Sequence, residues 1–231
     1  MIRWDAVPGY VVAFTTRNGG GSTGPFESLN LGLLTDDEPA NVEENRRRVC
    51  AAVGSDPEKL AMNRQVHGAT VNRAAVGRRG TPGDGLLTEE PELPLLKVTA
   101  DCLPIALVRA TGTPGLALLH AGRLGLLEGI VEAGATTLGG DPRAVIGPGI
   151  GPCCYEVGDE IRESYRARFG ADVLRGRNLD LWTAAERALC EAGVTSVERM
   201  DICTACNSRD FFSHRRDGGL TGRQGVIAYI A

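Results

Sequence analysis

Three side chains in this sequence pair reactive chemistry with scarcity. His67 stands in "NRQVHGATV", Cys102 in "TADCLPIAL" and His120 in "LLHAGRLG". Each borders an apolar, strand-like run or a turn that can aim it. The chain holds only 3 histidines and 7 cysteines, so two of its three imidazoles belong to this set. Two imidazoles and one thiolate suit a borderline-soft divalent ion such as zinc, and three protein ligands leave a fourth tetrahedral position for water or substrate. The gaps between them match no compact metal motif. Spacing therefore leaves two alternatives open: Cys102 as a hydrolase nucleophile with His120 as its base, or all three as ordinary packed residues.

Asp101 sharpens the question. It sits beside Cys102 inside "LLKVTADCLPIALV", residues 95–108, which reads as one buried strand. A carboxylate there is costly unless it is paired or hydrogen-bonded. The strand can carry it if its end faces a pocket, where Asp101 is a candidate proton-transfer partner.

Anion-binding candidates are more dispersed. "NGGGSTGP" (18–25) could cradle phosphate through backbone N–H groups, although it lacks the P-loop lysine. An inward-facing Arg46 in "NRRR" could clamp phosphate bidentately. Arg64 lies three residues before His67, and Arg123 follows "HAG". Asn30 in "SLNLG" could bond a ligand or cap its own loop. "CTAC" (203–206) has metal or redox spacing, but no second pair follows at zinc-finger spacing, so these read as structural thiols. The vicinal cysteines of "GPCCY" read as packing near the site wall. Adjacency discourages a bond between them.

The elements that must position these residues alternate irregularly. Strands are expected at 10–17, 69–76, 95–108 and 116–122, the last two as a hairpin that brings Cys102 and His120 together. Helices are expected at 38–54, with Asn41 as N-cap, at 124–138, at 159–169 and at 178–193. The last of these carries Glu186 and Arg187 on an exposed face. Residues 77–88 read as turn, with Asp84-Gly85 as its marker. A strand, a Gly-Pro turn and a new segment fill 144–158, and a final strand closes the chain. Without strict βαβ alternation the expectation is an α+β fold, one domain over residues 1–231.

Composition excludes several classes. At 231 residues, 25 Lys+Arg face 29 Asp+Glu for a formal charge of −4. That balance argues against nucleic acid or an anionic membrane as partner. No apolar run approaches a bilayer span and no signal peptide is evident, so a cytoplasmic location is expected.

Seven segments then carry a resemblance: "TTRNGGGSTGPFESLNLG", "NRQVHG", "DGLLT", "VTADCLPIAL", "HAG", "IGPGIGPCCYEV" and "FFSHRRDGGLTGRQ". In this order they resemble the YfiH/YlmD laccase-domain (FAMIN-like) family across nearly the whole chain. The resemblance implies mixed β-sheets with flanking helices. It also implies a purine nucleoside phosphorylase for adenosine, inosine, guanosine and S-methyl-5′-thioadenosine, with adenosine deaminase activity. Its His–Cys–His zinc site falls on His67, Cys102 and His120. Two departures stand out: the family often has Trp-Arg after "HAG" where this chain has Arg123-Leu124, and tyrosine is common where His214 stands. His214 reads as a loop residue. Copper chemistry of the laccase type is disfavoured, since a blue centre with a trinuclear cluster needs about ten histidines. The expected partners are nucleoside and phosphate, with the chain a monomer or weak homo-oligomer.

Overall fold

The structure is a computed structural model describing residues 1–231. The chain opens with β1 (Ile2–Trp4) and β2 (Tyr10–Phe14), followed by a long glycine-rich loop and α1 (Pro39–Val53). Short strands follow: β3 (Asn63–Arg64), β4 (Val71–Arg73), β5 (Thr81–Pro82) and β6 (Gly85–Thr88). The centre is β7 (Leu95–Thr99), β8 (Leu103–Arg109) and β9 (Leu116–Ala121), then α2 (Arg123–Leu127) and α3 (Ile130–Leu138). The remainder is β10 (Pro142–Ile146), α4 (Asp159–Phe169), β11 (Leu174–Arg175), β12 (Asn178–Leu179), α5 (Leu181–Glu191), β13 (Ser196–Arg199) and β14 (Gln224–Ile230). No helix is long and apolar enough to cross a membrane.

Two sheets dominate. One has the order β1-β2-β14-β7 and is antiparallel; the other has the order β13-β10-β8-β9-β6-β4 and is mixed, with β13 and β4 joining parallel to their neighbours. The two-residue alternation of strands sorts their side chains into layers. In β8 and β9, Leu103, Ile105, Leu107, Ala117 and Leu119 pack under α3, α4 and α5. Ala106, Val108, Leu116 and Leu118 point the other way, against Val12, Phe14, Val226 and Ala228 of the second sheet. That sheet's outer residues, Ala13, Leu96 and Ile227, meet Val49, Cys50 and Val53 of α1. The result is a helix–sheet–sheet–helix stack. Both central faces are covered, which explains why β8 and β9 read as continuous apolar runs.

The expected α+β class and the hairpin hold: Leu103 faces Ala121 and Pro104 faces His120. Several boundaries do not. The single strand expected over 95–108 is two strands in different sheets. Between them Asp101 adopts φ +87°, a left-handed conformation that Asp tolerates better than most residues, and the chain crosses from one sheet to the other. The helix expected over 124–138 breaks at Gly129, φ +87°. Asn41 does not cap α1; the N-cap is Glu38, without a side-chain bond. The turn expected at 77–88 contains β5 and the fully buried β6. In the expected 178–193 helix, α5 starts only at Leu181, where the Asp180 side chain accepts the Thr183 N–H. Its Glu186 and Arg187 are half-buried and paired to Arg199 and Asp172.

Candidate metal centre

Asp84 organises this site. It lies one residue before β6, its side chain fully buried. Its Oδ2 accepts the N–H groups of Val66 (3.0 Å) and Gly68 (2.9 Å), and its Oδ1 accepts that of His67 (3.0 Å). The same Oδ1 lies 2.8 Å from His120 Nδ1. Burial alone would raise this carboxyl, but the His120 bond and the Gly68 and Val66 amides outweigh it and hold Asp84 at about 2. Asp84 is therefore an acceptor only, so His120 Nδ1 carries the proton and donates. Nε2 is left with its lone pair, the arrangement by which carboxylates orient metal-binding imidazoles. Burial lowers His120, against the raising effect of Asp84, so the ring is neutral at pH 7.

The three expected ligands converge on this point. The ligand atoms of His67, Cys102 and His120 all lie within 4.8 Å of one another. His67 adopts φ +63°, a strained turn held by the Asp84 contacts, and its ring meets His120 edge-on at 4.9 Å. His120 is buried, Cys102 half-buried and His67 exposed, so the cluster opens to solvent on the His67 side. Gly122 keeps that cluster clear: a Cβ there would stand 2.8 Å from Cys102 Sγ and 3.3 Å from His67 Cδ2. Two imidazoles and a thiol with one open side fit zinc as donor set and as coordination number. Without a cation, burial first, then Asp101 and Asp84, push the Cys102 thiol up to about 12. A thiol held there is a poor nucleophile, whereas a bound dication deprotonates a coordinating thiol outright.

The other expected residues separate into neighbours of the site and scaffold. Arg123 opens α2 beside Gly122, and its charge, with that of Arg223, acts on Cys102. Asp101 is within the site region but fully engaged: Thr204 Oγ1 donates to its Oδ1 (2.6 Å) and the Arg215 N–H to its Oδ2 (2.7 Å). With one hydrogen bond on each oxygen it anchors the 204–215 segment. Arg46 does face inward, but its guanidinium donates twice to the Leu31 carbonyl and once to Glu43. Asn30 is buried and bonds Thr35, Asp37, Gly32 and the Arg223 N–H; it holds its loop. In the glycine-rich loop, the N–H groups of Gly19 and Gly20 donate to Ser28 Oγ and that of Gly21 to Asn45, so these three amides are occupied within the protein. Arg64 is exposed on β3, and His214 is exposed in a turn.

Sequence reasoning missed Asp84, Lys97, Tyr155 and Arg223. Lys97 shares the inter-sheet side of β7 with Leu95, fully buried against Asn63. Burial lowers it to about 7, with Asp84 pulling the other way. Tyr155 lies beside Arg123 with the Arg215 guanidinium 4.9 Å over its ring. Arg223 carried one available signal, a lone cation after Thr221-Gly222 in "LTGRQ".

Comparison with known proteins places the chain in a family. A family model described as multi-copper polyphenol oxidoreductase laccase matches residues 11–231. The chain is 37% identical over 250 residues to a Geobacillus stearothermophilus protein named purine nucleoside phosphorylase YlmD, covering 96% of this chain and 90% of that one. It is 34% identical over 242 residues to purine nucleoside phosphorylase YfiH of Escherichia coli K12, covering 99% and 97%. A crystal structure of a Neisseria meningitidis protein superposes with a TM-score of 0.91 at 32% identity, over 99% of this chain and 98% of that one.

Proposed function

The chain belongs to the multi-copper polyphenol oxidoreductase laccase family, and from that premise we propose that it is a purine nucleoside phosphorylase with an adenosine deaminase side activity. Its substrates in this reading are adenosine, inosine, guanosine and S-methyl-5′-thioadenosine, with zinc at His67, Cys102 and His120. The names of its relatives support the phosphorylase class. The observation that carries the site is the imidazole of His120, fixed by Asp84, meeting His67 and Cys102 beside the cations Arg123 and Arg223. The oxidase that the family description suggests is disfavoured, because 3 histidines cannot build a multicopper cluster.

In phosphorolysis a phosphate oxygen forms a bond to ribose C1′ as the glycosidic bond breaks, and its electron pair leaves with the purine. Arg123 and Arg223 supply positive charge for the phosphate. Asp84 keeps His120 in one tautomer and holds the His67 turn in place, so the ligand set is preorganised. Gly122 keeps the floor open. Bound zinc would supply Lewis-acid polarisation at the open position, which suits the addition of water to adenine C6 and loss of ammonia. The high Cys102 thiol weighs against the cysteine-hydrolase alternative.

Incubating each of the four nucleosides with and without phosphate, and separating the products, tests the proposal. Free base appearing only with phosphate is the expected result, with phosphate-independent inosine from adenosine. No free base from any nucleoside, on protein with full zinc content, overturns it.

A further inference from the structure

The two cysteine-bearing motifs, separated by half a hundred residues in the chain, meet in space. Residues 149 and 203 form a parallel bridge, in which Thr204 N–H donates to the Gly149 carbonyl and Gly149 N–H to that of Ile202. This lays "GPCCY" against "CTAC". Cys206 Sγ lies 3.4 Å from Cys153 Sγ and 3.3 Å from Cys154 Sγ, and the sulfurs of Cys153, Cys154, Cys203 and Cys206 all lie within 4.8 Å of one another. None is in a disulfide. The sequence holds no second pair at finger spacing and reads these cysteines as structural thiols and packing; the fold supplies a partner pair that spacing could not show, the vicinal one.

From this we propose that Cys153, Cys154, Cys203 and Cys206 form a second metal site, a tetrathiolate that takes zinc as a structural ion. A tetrahedral complex with zinc–sulfur bonds near 2.3 Å separates its sulfurs by about 3.8 Å. The observed separations, from 3.3 Å to at most 4.8 Å, bracket that value, so binding changes each by about 1 Å or less. Cys203 and Cys206 have the two-residue spacing of a zinc knuckle. The Gly151 amide donates to Cys203 Sγ at 3.2 Å, as backbone amides do around thiolate ligands. Cys203 is buried while Cys153 and Cys206 are exposed, which gives the ion an entry path. Four protein sulfurs close the coordination sphere, so this centre carries no open position and no catalysis. Binding displaces the thiol protons to solvent and leaves a dianionic complex.

Its place in the fold states its purpose. Thr204, between the paired cysteines, is the residue whose hydroxyl holds Asp101, next to Cys102. Its carbonyl accepts from Arg216. Ile150, just upstream of the vicinal pair, donates its N–H to the Asp101 carbonyl. The ion clamps the two segments that fix the Asp101–Cys102 corner from below.

The test is metal content and spectrum, independent of turnover. Protein expressed without added metal is expected to carry zinc at both clusters. A His120→Ala chain is expected to keep one equivalent, and Cys206→Ser to lose that equivalent. Cobalt substituted into the His120→Ala chain is expected to give the sulfur-to-cobalt charge-transfer and tetrahedral ligand-field bands of an S₄ site, absent in Cys206→Ser. If either variant fails to fold, cobalt titration of the natural chain still separates S₄ from N₂S spectra. Absence of the S₄ spectrum from fully reduced protein overturns the proposal, as does recovery of Cys206 in a disulfide with Cys153 or Cys154 from anaerobically prepared protein. A single zinc with an S₄ spectrum would sustain this site and sink the catalytic-zinc reading instead.

Discussion

Replacing Asp84 by Asn tests the organisation of the site most directly. Each carboxylate oxygen accepts two hydrogen bonds: Val66 and Gly68 on one, His67 and His120 on the other. An amide must turn its NH₂ toward one of those pairs, so two donors lose their acceptor whichever way it flips. Bonds to a charged group contribute ~1.5–3 kcal/mol each, which puts the loss at ~3–6 kcal/mol. The charge adds a pH signature. With its pKa held at about 2 against 3.8 when unperturbed, Asp84 stabilises the fold fully above pH 3.8, and the contribution fades as pH falls through about 2. That window is worth ~2.4 kcal/mol, so the variant loses this part of its acid dependence. Zinc affinity drops ~10–100-fold, the usual cost of removing a histidine's carboxylate partner. Denaturant unfolding from pH 7 to pH 2, and zinc competition against a chromophoric chelator, measure both. A variant within ~1 kcal/mol of the natural stability that binds zinc equally well refutes the role given to Asp84.

Other outcomes follow from single contacts. Lys97, lowered to about 7 from 10.5, sheds its proton in the folded protein while the unfolded chain keeps it, so stability rises by up to ~1.4 kcal/mol per pH unit between those values; Lys97→Met is expected to flatten that limb in denaturant titrations, and a slope that persists assigns it to another group. Gly122→Ala places a methyl 2.8 Å from Cys102 Sγ, so zinc affinity is expected to fall at least ~10-fold with little loss of fold, and undiminished zinc content by mass spectrometry would relocate the site. Asp101→Asn keeps the Arg215 bond, can donate to Thr204 and tolerates φ +87°, so stability should stay within ~1 kcal/mol with turnover largely intact, whereas Asp101→Ala should lose ~2–4 kcal/mol. If Asp101→Asn keeps fold and zinc but loses turnover, Asp101 carries a proton after all.

The convergence of His67, Cys102 and His120 was legible chiefly through the segments that carry the family resemblance, because scarcity of histidine singled the residues out while spacing left ordinary packing equally open. Asp84 was not, because an Asp-Gly pair signals a turn locally, and nothing local reports that the turn's carboxylate will collect three amides and an imidazole. The β7–β8 break was hidden by burial: a strand that changes sheets stays apolar on both sides of the change. Asp101 itself, polar in an apolar run and followed by Pro104, was the visible trace of that corner. The four-cysteine cluster escaped because its halves are joined by strand pairing rather than by chain proximity. Arg46 and Asn30 looked like ligand binders because an inward polar side chain reads the same from sequence whether it meets a substrate or a backbone carbonyl.

The corner at Asp101 has a consequence for assembly. Cys102 is delivered at the seam where the chain leaves one sheet for the other, while His120 enters from the far arm of the hairpin and His67 from a loop tied down by Asp84. All three converge through the six-stranded sheet: Leu103, next to Cys102, pairs with Ala121, next to His120, and Gly85, next to Asp84, pairs with Leu119. An ion captured there would report that β6, β8 and β9 had paired in register, since a one-residue slip turns His120 to the other face.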